Sequence, residues 1–331
     1  MEPRSSESPP LLLDLRSRRQ IANTGIFVSP LGFGASPLGN EFGDINEQDG
    51  IDAVLEAVKQ GINFFDVSPY YGRTRAETVL GKALRQLPRE SFVISTKVGR
   101  YDKQSFDFSA QRVTRSVEES MQRLGVDYID IIQCHDIEFV ELDMIITETL
   151  PALLALKKAG KVRAIGITGY PLEIFPYILA ATEPGTVDVV LSYCNYCLQN
   201  DRLSLLFAAL RKAGVSVINA SPLCMGLLTP SGGPDWHPAD VETKAAARAA
   251  AAFCEERDVD LPTVAMQFAL QTDEHEVTTT LVGIDSVNTL QKNIKVASST
   301  PDVSLLKGVK AIFDPVRNRR WTSGKFIGSS V

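Results

Sequence analysis

Residues 62–72 read I-N-F-F-D-V-S-P-Y-Y-G, an apolar run that stops on a carboxylate, Asp66, and turns through Ser68-Pro69 into Tyr70 and Tyr71. A short apolar run bounded by turn residues reads as a buried strand. Just before it, Ile51, Val54, Leu55 and Val58 recur at helical spacing over Asp49–Gln60, with Gly61 as the stop; just after it, Arg75–Arg85 reads as another helix. A strand between two helices is the unit of a parallel sheet.

Outward from this stretch the same unit repeats. Strands are predicted at Val28–Ala35, Ile62–Val67, Phe92–Val98, Tyr128–Gln133, Val162–Ile167, Val187–Leu191, Val215–Asn219 and Thr278–Val282. Helices fall between or after them, among them Ser109–Leu124, Leu142–Lys158, Leu172–Ala181, Arg202–Ala213, Ala239–Arg257, Pro262–Leu270 and Val287–Val296. Eight strand-then-helix units in one run predict an α/β fold of the (β/α)8 TIM-barrel kind, as a single domain over 20–314. A doubly wound sheet would want Gly-x-Gly-x-x-Gly opening a helix, and after Gly32-x-Gly34 the next glycine is Gly39, behind Pro37. Residues 1–19 read as a disordered N-terminal extension, and 315–331 as a C-terminal tail whose Trp321 either closes over the site or is disordered.

Polar residues at the strand ends sharpen the picture. Asp66, Lys97, His135, Thr168, Ser192 and Ser221 each follow an apolar strand, 31, 38, 33, 24 and 29 residues apart, about one unit each. A barrel gathers such residues on the face formed by the C-terminal strand ends, where its active sites lie. Chemically, Tyr71, Lys97, Asp66 and His135 make a coherent set. A phenol titrates near 10, and a nearby ammonium favours its phenolate. Lys97 could supply that ammonium, with Asp66 holding the lysine, while His135 points an N–H at a substrate oxygen. Such a set moves a proton but carries no electron pair, so it needs a hydride carrier. Each residue also has a plain structural reading: a solvated strand-end lysine, Tyr70 or Tyr71 packed under a loop, a satisfied interior histidine.

Composition narrows the classes. The 331 residues are 44% hydrophobic and 22% charged with a net charge of −6, an ordinary globular balance with no basic field for nucleic acid or an anionic membrane. No apolar run approaches the roughly 20 residues of a membrane span. Five cysteines, an odd number, point to reduced thiols and a cytoplasmic setting. Cys194-x-x-Cys197 lacks a second pair, and with three histidines in the chain no metal site is expected.

From Asn23 to Asn293 the chain resembles the aldo-keto reductase superfamily, through F-D-V-S-P-Y-Y-G (65–72), S-T-K-V-G (95–99), I-Q-C-H-D (132–136), G-I-T-G (166–169), A-S-P-L (220–223) and V-G-I-D-S (282–286). The resemblance implies a catalytic tetrad of Asp66, Tyr71, Lys97 and His135, with Tyr71 rather than Tyr70 as proton donor or acceptor, and a nicotinamide dinucleotide held over the barrel mouth. It places the cofactor against Gly34, Thr168, Ser192, Ser221, Leu223, Met225, Gly226, Gly283, Asp285, Ser286 and Asn293. Three positions depart from the family pattern: Gly169 for asparagine, Ser192 for glutamine, and Ala220 for an aromatic ring. Basic residues that would hold a 2′-phosphate are replaced by Gly283 and Thr289 beside Asp285, which favours NAD, with Lys292 as the residue that could oppose it.

Within the family, G-F-G-A-S-P-L-G (32–39), G-R-Y-D (99–102), C-H-D-I-E-F (134–139) and W-H-P-A (236–239) are similar to members that oxidise an aldose at C1 to its lactone with NAD: L-galactose on the route to ascorbate, or L-fucose or D-arabinose. Ser36, Phe42, Tyr101, Asp136 and Trp236 are the candidates to face such a sugar. A general NADPH-dependent aldehyde reductase and a non-catalytic binding subunit on the same fold are the alternatives. The oligomeric state is not written in the sequence.

Overall fold

A computed structural model describes residues 13–41 and 43–325 of the chain. Eight strands form a closed parallel barrel: β1 Leu31–Gly34, β2 Phe64–Asp66, β3 Val93–Val98, β4 Ile129–Cys134, β5 Val162–Gly169, β6 Val189–Tyr193, β7 Ser216–Ala220 and β8 Thr279–Gly283. Each pairs with its neighbour in sequence, and β8 closes on β1 through Leu281↔Gly32 and Val282↔Phe33. Helices α1 Glu47–Lys59, α2 Arg75–Leu84 and α3 Ala110–Leu124 follow β1 to β3. After β4 come α4 Leu150–Lys158, α5 Ile174–Ala180 and α6 Phe207–Lys212, then α7 Val241–Glu255, α8 Leu261–Leu270, α9 Val287–Ala297 and α10 Val303–Phe313. Buried side chains between strands and helices form a ring of apolar contacts, with Ile132, Ile165, Leu153 and Phe175 in one sector and Phe65, Ile94, Val54 and Leu80 in another.

The first predicted strand divides in two. Pro30 has no N–H to give a ladder, and the chain on either side serves two elements. Arg19–Ile21 pairs antiparallel with Ile26–Val28, and β1 begins at Leu31. The hairpin sends Ile21, Ile26 and Val28 into the barrel, where they pack with Phe64, Val93, Ile131, Ala164 and Leu281. These residues seal the end opposite the strand C-termini.

Other boundaries moved for local reasons. The predicted helix Leu142–Lys158 contains a π-turn at Ile145–Thr149 ahead of α4, where Pro151 cannot donate to the preceding turn. Arg202–Leu206 is a 3₁₀ turn leading into α6. Helix α10 was not expected; Leu305, Val309 and Phe313 bury it against Ala247, Ala250 and Cys254 of α7.

The terminal segments are only partly described. Of the extension expected over 1–19, residues 13–19 are described and Leu15 is buried, while 1–12 lie outside the described residues. Residues 315–325 of the tail lie on the barrel, and Phe42 falls outside the described residues. All five cysteines are free thiols and buried. No helix among the described residues is long and apolar enough to cross a membrane.

Candidate active site

Parallel register sets the site. Pairing of Asp66 with Ser95, and of Lys97 with Gln133, brings the ends of β2, β3 and β4 to one level. There Lys97 Nζ lies 2.5 Å from Asp66 Oδ1, 3.0 Å from the Val67 carbonyl and 3.3 Å from Tyr71 Oη. An ammonium has three donors, and these three acceptors take them all. Asp66 Oδ2 accepts in turn from Ser95 Oγ at 2.9 Å and Gln133 Nε2 at 3.1 Å. Lys97 is 1% exposed; a lysine so buried is held in one place by its partners. The solvated strand-end reading is thereby excluded.

The protonation states follow from burial. Burial pushes the Asp66 carboxyl up, and Lys97, Ser95 and Gln133 pull against it. For Lys97 burial pushes the amine down, but Asp66 and Tyr71 outweigh it and the net shift is upward. A 2.5 Å contact supports the ionised pair. Tyr71 corrects an expectation: burial pushes its phenol up to about 12, against the downward pull of Lys97. Lys97 therefore offsets a burial cost and does not bring the phenol below its ordinary value. Since Lys97 donates to Tyr71 Oη, the phenolic proton is left to point elsewhere.

His135 sits beside this group, its ring meeting Tyr71 edge to face at 5.7 Å. Burial pushes the imidazole down to about 3, so it is neutral at neutral pH. Ser68 Oγ accepts from the Tyr70 N–H at 3.1 Å and lies 3.0 Å from His135 Nδ1. The Asp136 carboxylate is 3.6 Å from Nε2. The Nε2–H tautomer suits both neighbours, with Nδ1 accepting from the Ser68 hydroxyl and Nε2–H on the Asp136 side.

Two cavities meet at this point. One, of about 430 Å³, is walled by Tyr70, Tyr71, Lys97, Arg100, His135 and Asp136, and further out by Tyr193, Trp236 and Trp321. The other, of about 410 Å³, runs past Gly34, Pro37, Leu223, Met225, Gly226, Gly283 and Asp285. Ser36, Asp66, Tyr71, Ala220, Ser221 and Met225 border both, so Tyr71 stands at the junction of two connected spaces.

The second space fits an extended dinucleotide. It is bordered by a loop in which Ser221, Cys224 and Met225 all take positive φ, at 56°, 49° and 51°. Such backbone in non-glycine residues persists where the surroundings enforce it, and it gathers at ligand sites. On α9, Asn293 buries an Nδ2 that has no partner among the described residues, but the residue borders neither cavity. Gly34, Ser221, Leu223, Met225, Gly226, Gly283 and Asp285 border this space. Ser286 instead caps α9, accepting from Thr289 N at 3.3 Å, and donates to Asp285 Oδ1 at 2.8 Å.

Two residues assigned to the cofactor have other partners. The Thr168 hydroxyl accepts from Asp136 N at 2.9 Å and donates to Asp136 Oδ1 at 3.3 Å. Ser192 is fully buried with its Oγ accepting from Asn195 Nδ2 at 3.0 Å, and it borders neither cavity.

Of the residues named for a sugar, Ser36, Asp136 and Trp236 line the first cavity. Tyr101 does not; its Oη accepts from Gly99 N at 3.2 Å and its ring lies under Arg112. Several wall residues escaped the sequence reading. Arg100 is ion-paired to Asp136 and lies 4.1 Å over the Tyr70 ring; its signal was its place just past β3. Glu41 accepts from Gly72 N at 2.8 Å, and Tyr193 comes from the end of β6. The Arg100 contact also separates the two tyrosines, since Tyr70 packs under the guanidinium while Tyr71 reaches Lys97.

Known proteins bear on this geometry. The aldo/keto reductase family pattern matches residues 30–309. The chain is 50% identical over 312 residues to L-galactose dehydrogenase of Arabidopsis thaliana, covering 92% of this chain and 97% of that one. It is 34% identical over 319 residues to D-arabinose 1-dehydrogenase of Saccharomyces cerevisiae, covering 90% and 94%. In three dimensions it is similar to an aldo-keto reductase of Bacillus halodurans in its holo form, with a TM-score of 0.74 at 25% identity over 94% of this chain and all of that one. The family match runs through every barrel strand and takes in Asp66, Tyr71, Lys97 and His135, and the chain belongs to the aldo/keto reductase family.

Proposed function

We propose that the protein oxidises L-galactose at its anomeric carbon to the 1,4-lactone with NAD, using Tyr71 as the general acid/base. As a family member it is an oxidoreductase that takes a nicotinamide cofactor. The observation that carries the proposal is Lys97 Nζ, held by Asp66 and placed 3.3 Å from Tyr71 Oη where the two cavities join. The 50% identity to a plant L-galactose dehydrogenase supports the choice of sugar. L-fucose and D-arabinose are the neighbouring readings, and a yeast D-arabinose 1-dehydrogenase at 34% identity keeps them close.

In this reading the sugar occupies the first cavity with its C1 hydroxyl between Tyr71 Oη and His135 Nε2. His135, neutral and protonated on Nε2, donates to that oxygen and orients it. Tyr71 first gives up its own proton; as the phenolate, steadied by Lys97, it takes the hydroxyl proton as C1 is oxidised and returns to the phenol. A nicotinamide cofactor held along the second cavity by the walls at Gly34, Ser221 and Gly283 would supply the acceptor for the hydride that leaves C1. Asp136 and Arg100, neutralised by each other, offer an acceptor and donors to the other hydroxyls without attracting an anion.

NAD is preferred over NADP because Asp285 borders the second cavity, its Oδ1 fixed by Ser286 Oγ at 2.8 Å and Thr289 Oγ1 at 2.6 Å. A carboxylate there accepts from ribose hydroxyls and repels a 2′-phosphate. The purified protein mixed with NAD and L-galactose is expected to raise the NADH absorbance, with a lower kcat/KM for L-fucose and D-arabinose and for NADP. Reduction of simple aldehydes by NADPH with no oxidation of any aldose would replace this reading with the general reductase.

A further inference from the structure

We propose that Glu138 is a positioning residue that latches the C-terminal segment 317–325 across the sugar end of the first cavity, and so sets sugar affinity without touching cofactor binding. The inference rests on the dehydrogenase reading for its substrate, but the latch itself is a matter of contacts.

Glu138 lies three residues past His135 and is fully buried. Its Oε1 accepts from Ser323 Oγ at 2.8 Å and from Tyr170 N at 3.1 Å. Its backbone carbonyl accepts from Lys325 N at 2.8 Å. Between those contacts lies Gly324, at φ +62°, where a Cβ would sit 2.3 Å from the Glu138 carbonyl oxygen. Only glycine allows an approach that close. One residue thus joins the His135 loop, the end of β5 and the C-terminal segment.

The segment is held at its other end by Gln199, whose carbonyl accepts from Asn318 N at 2.9 Å and whose Nε2 donates to Arg319 O at 3.0 Å. Between the two anchors Trp321 stacks on Tyr170 at 4.5 Å and 9° and faces the cavity. Residues 321–324 all line the first cavity, and none of them borders the second. Loosening the latch therefore changes the room around the sugar and leaves the cofactor's walls in place. A buried carboxyl suits the task as a neutral acceptor: burial pushes it up to about 8, and Oε2 has no partner of its own among the described residues.

Three variants test the latch. Glu138→Ala removes the acceptor, Gly324→Val forces the segment off Glu138, and Glu138→Gln keeps a neutral acceptor. Glu138→Ala and Gly324→Val are expected to raise the sugar KM on the order of tenfold, with kcat within a few-fold, because an interaction made equally in ground and transition states is lost. The dissociation constant for NAD, titrated without sugar, stays as in the parent. Glu138→Gln restores the KM. Emission from Trp321, isolated in a Trp236→Phe background, is expected to shift to the red in Glu138→Ala and Gly324→Val but not in Glu138→Gln.

A KM that does not move while the emission does would overturn the role in sugar affinity. Equal losses in NAD binding would mark Glu138 as general scaffolding and overturn it too. If the parent enzyme does not oxidise the sugar, the dehydrogenase reading fails by itself. The latch is then judged on Trp321, and unchanged emission in both variants sinks it.

Discussion

Lys97 shows what one buried charge does when all its donors are used. With Asp66, the Val67 carbonyl and Tyr71 as its acceptors, it has no freedom to act as an acid itself, and its effect is exerted through Tyr71. Tyr71→Phe keeps the ring and removes the hydroxyl assigned to exchange a proton with the sugar. Turnover should fall by ~10²–10⁴-fold, with NAD affinity by fluorescence titration nearly intact; a kcat close to the parent's would take Tyr71 out of the acid/base role. Asp285 poses a similar question at the far end of the second cavity. Asp285→Ala combined with Thr289→Arg removes the repelling carboxylate and adds a cation. The ratio of kcat/KM for NADP over NAD should rise by on the order of tenfold or more, which is what one new charge-assisted hydrogen bond to the 2′-phosphate is worth. An unchanged ratio would place discrimination elsewhere.

At the scale of elements, the helices are held to the barrel by close approaches as much as by apolar stripes. Gly81 of α2 packs on the end of α3, and a Cβ there would fall 2.1 Å from the Arg123 carbonyl and 2.9 Å from Leu124 Cα. Gly81→Ala should cost about 1–3 kcal/mol, read as a lower denaturant midpoint, with kinetic constants unchanged because α2 carries no wall residue of either cavity. Such close packing explains what the sequence made legible and what it hid. Strands β2 to β8 and their order followed from apolar runs and periodic helices, each of which reports its own burial. The hairpin at Arg19–Val28 was hidden because its three buried residues are spread over turn-forming sequence. Helix α10 was hidden because its apolar face meets α7 rather than a strand. At the site, Asp66, Lys97 and His135 were legible as strand-end residues, while Tyr71, in the loop after β2, was singled out from Tyr70 only by the family resemblance. Arg100 was missed although it stands just past β3, and Glu41 was not legible, since its placement depends on a loop whose course no periodicity encodes. Thr168 and Ser192 were assigned to the cofactor through the family resemblance, yet Thr168 is bonded to Asp136 and Ser192 to Asn195.

The molecule as a whole carries two buried groups that titrate in opposite senses. His135 binds its proton less well folded than unfolded, at about 3 against an ordinary 6.5, so its contribution to stability is present above pH 6.5 and is lost as pH falls toward 3. Glu138 does the reverse, at about 8 against 4.5: its contribution is full below pH 4.5 and is lost as pH rises through 8. Glu138→Gln stays neutral at every pH. Its melting temperature relative to the parent should therefore climb between pH 4.5 and 8, measured by calorimetry across that range; a difference that is flat with pH would mean Glu138 titrates normally. The two ends of the barrel are equally unlike. Ile21, Ile26 and Val28 close one end, beside the residues where the described chain begins, while 321–325 lie across the open end where it finishes. For anyone attaching the protein to an electrode or bead, that polarity decides the handle. A tether at the N-terminal side orients the mouth toward the solution, whereas one at the C-terminal side would crowd the doorway and pull on Trp321.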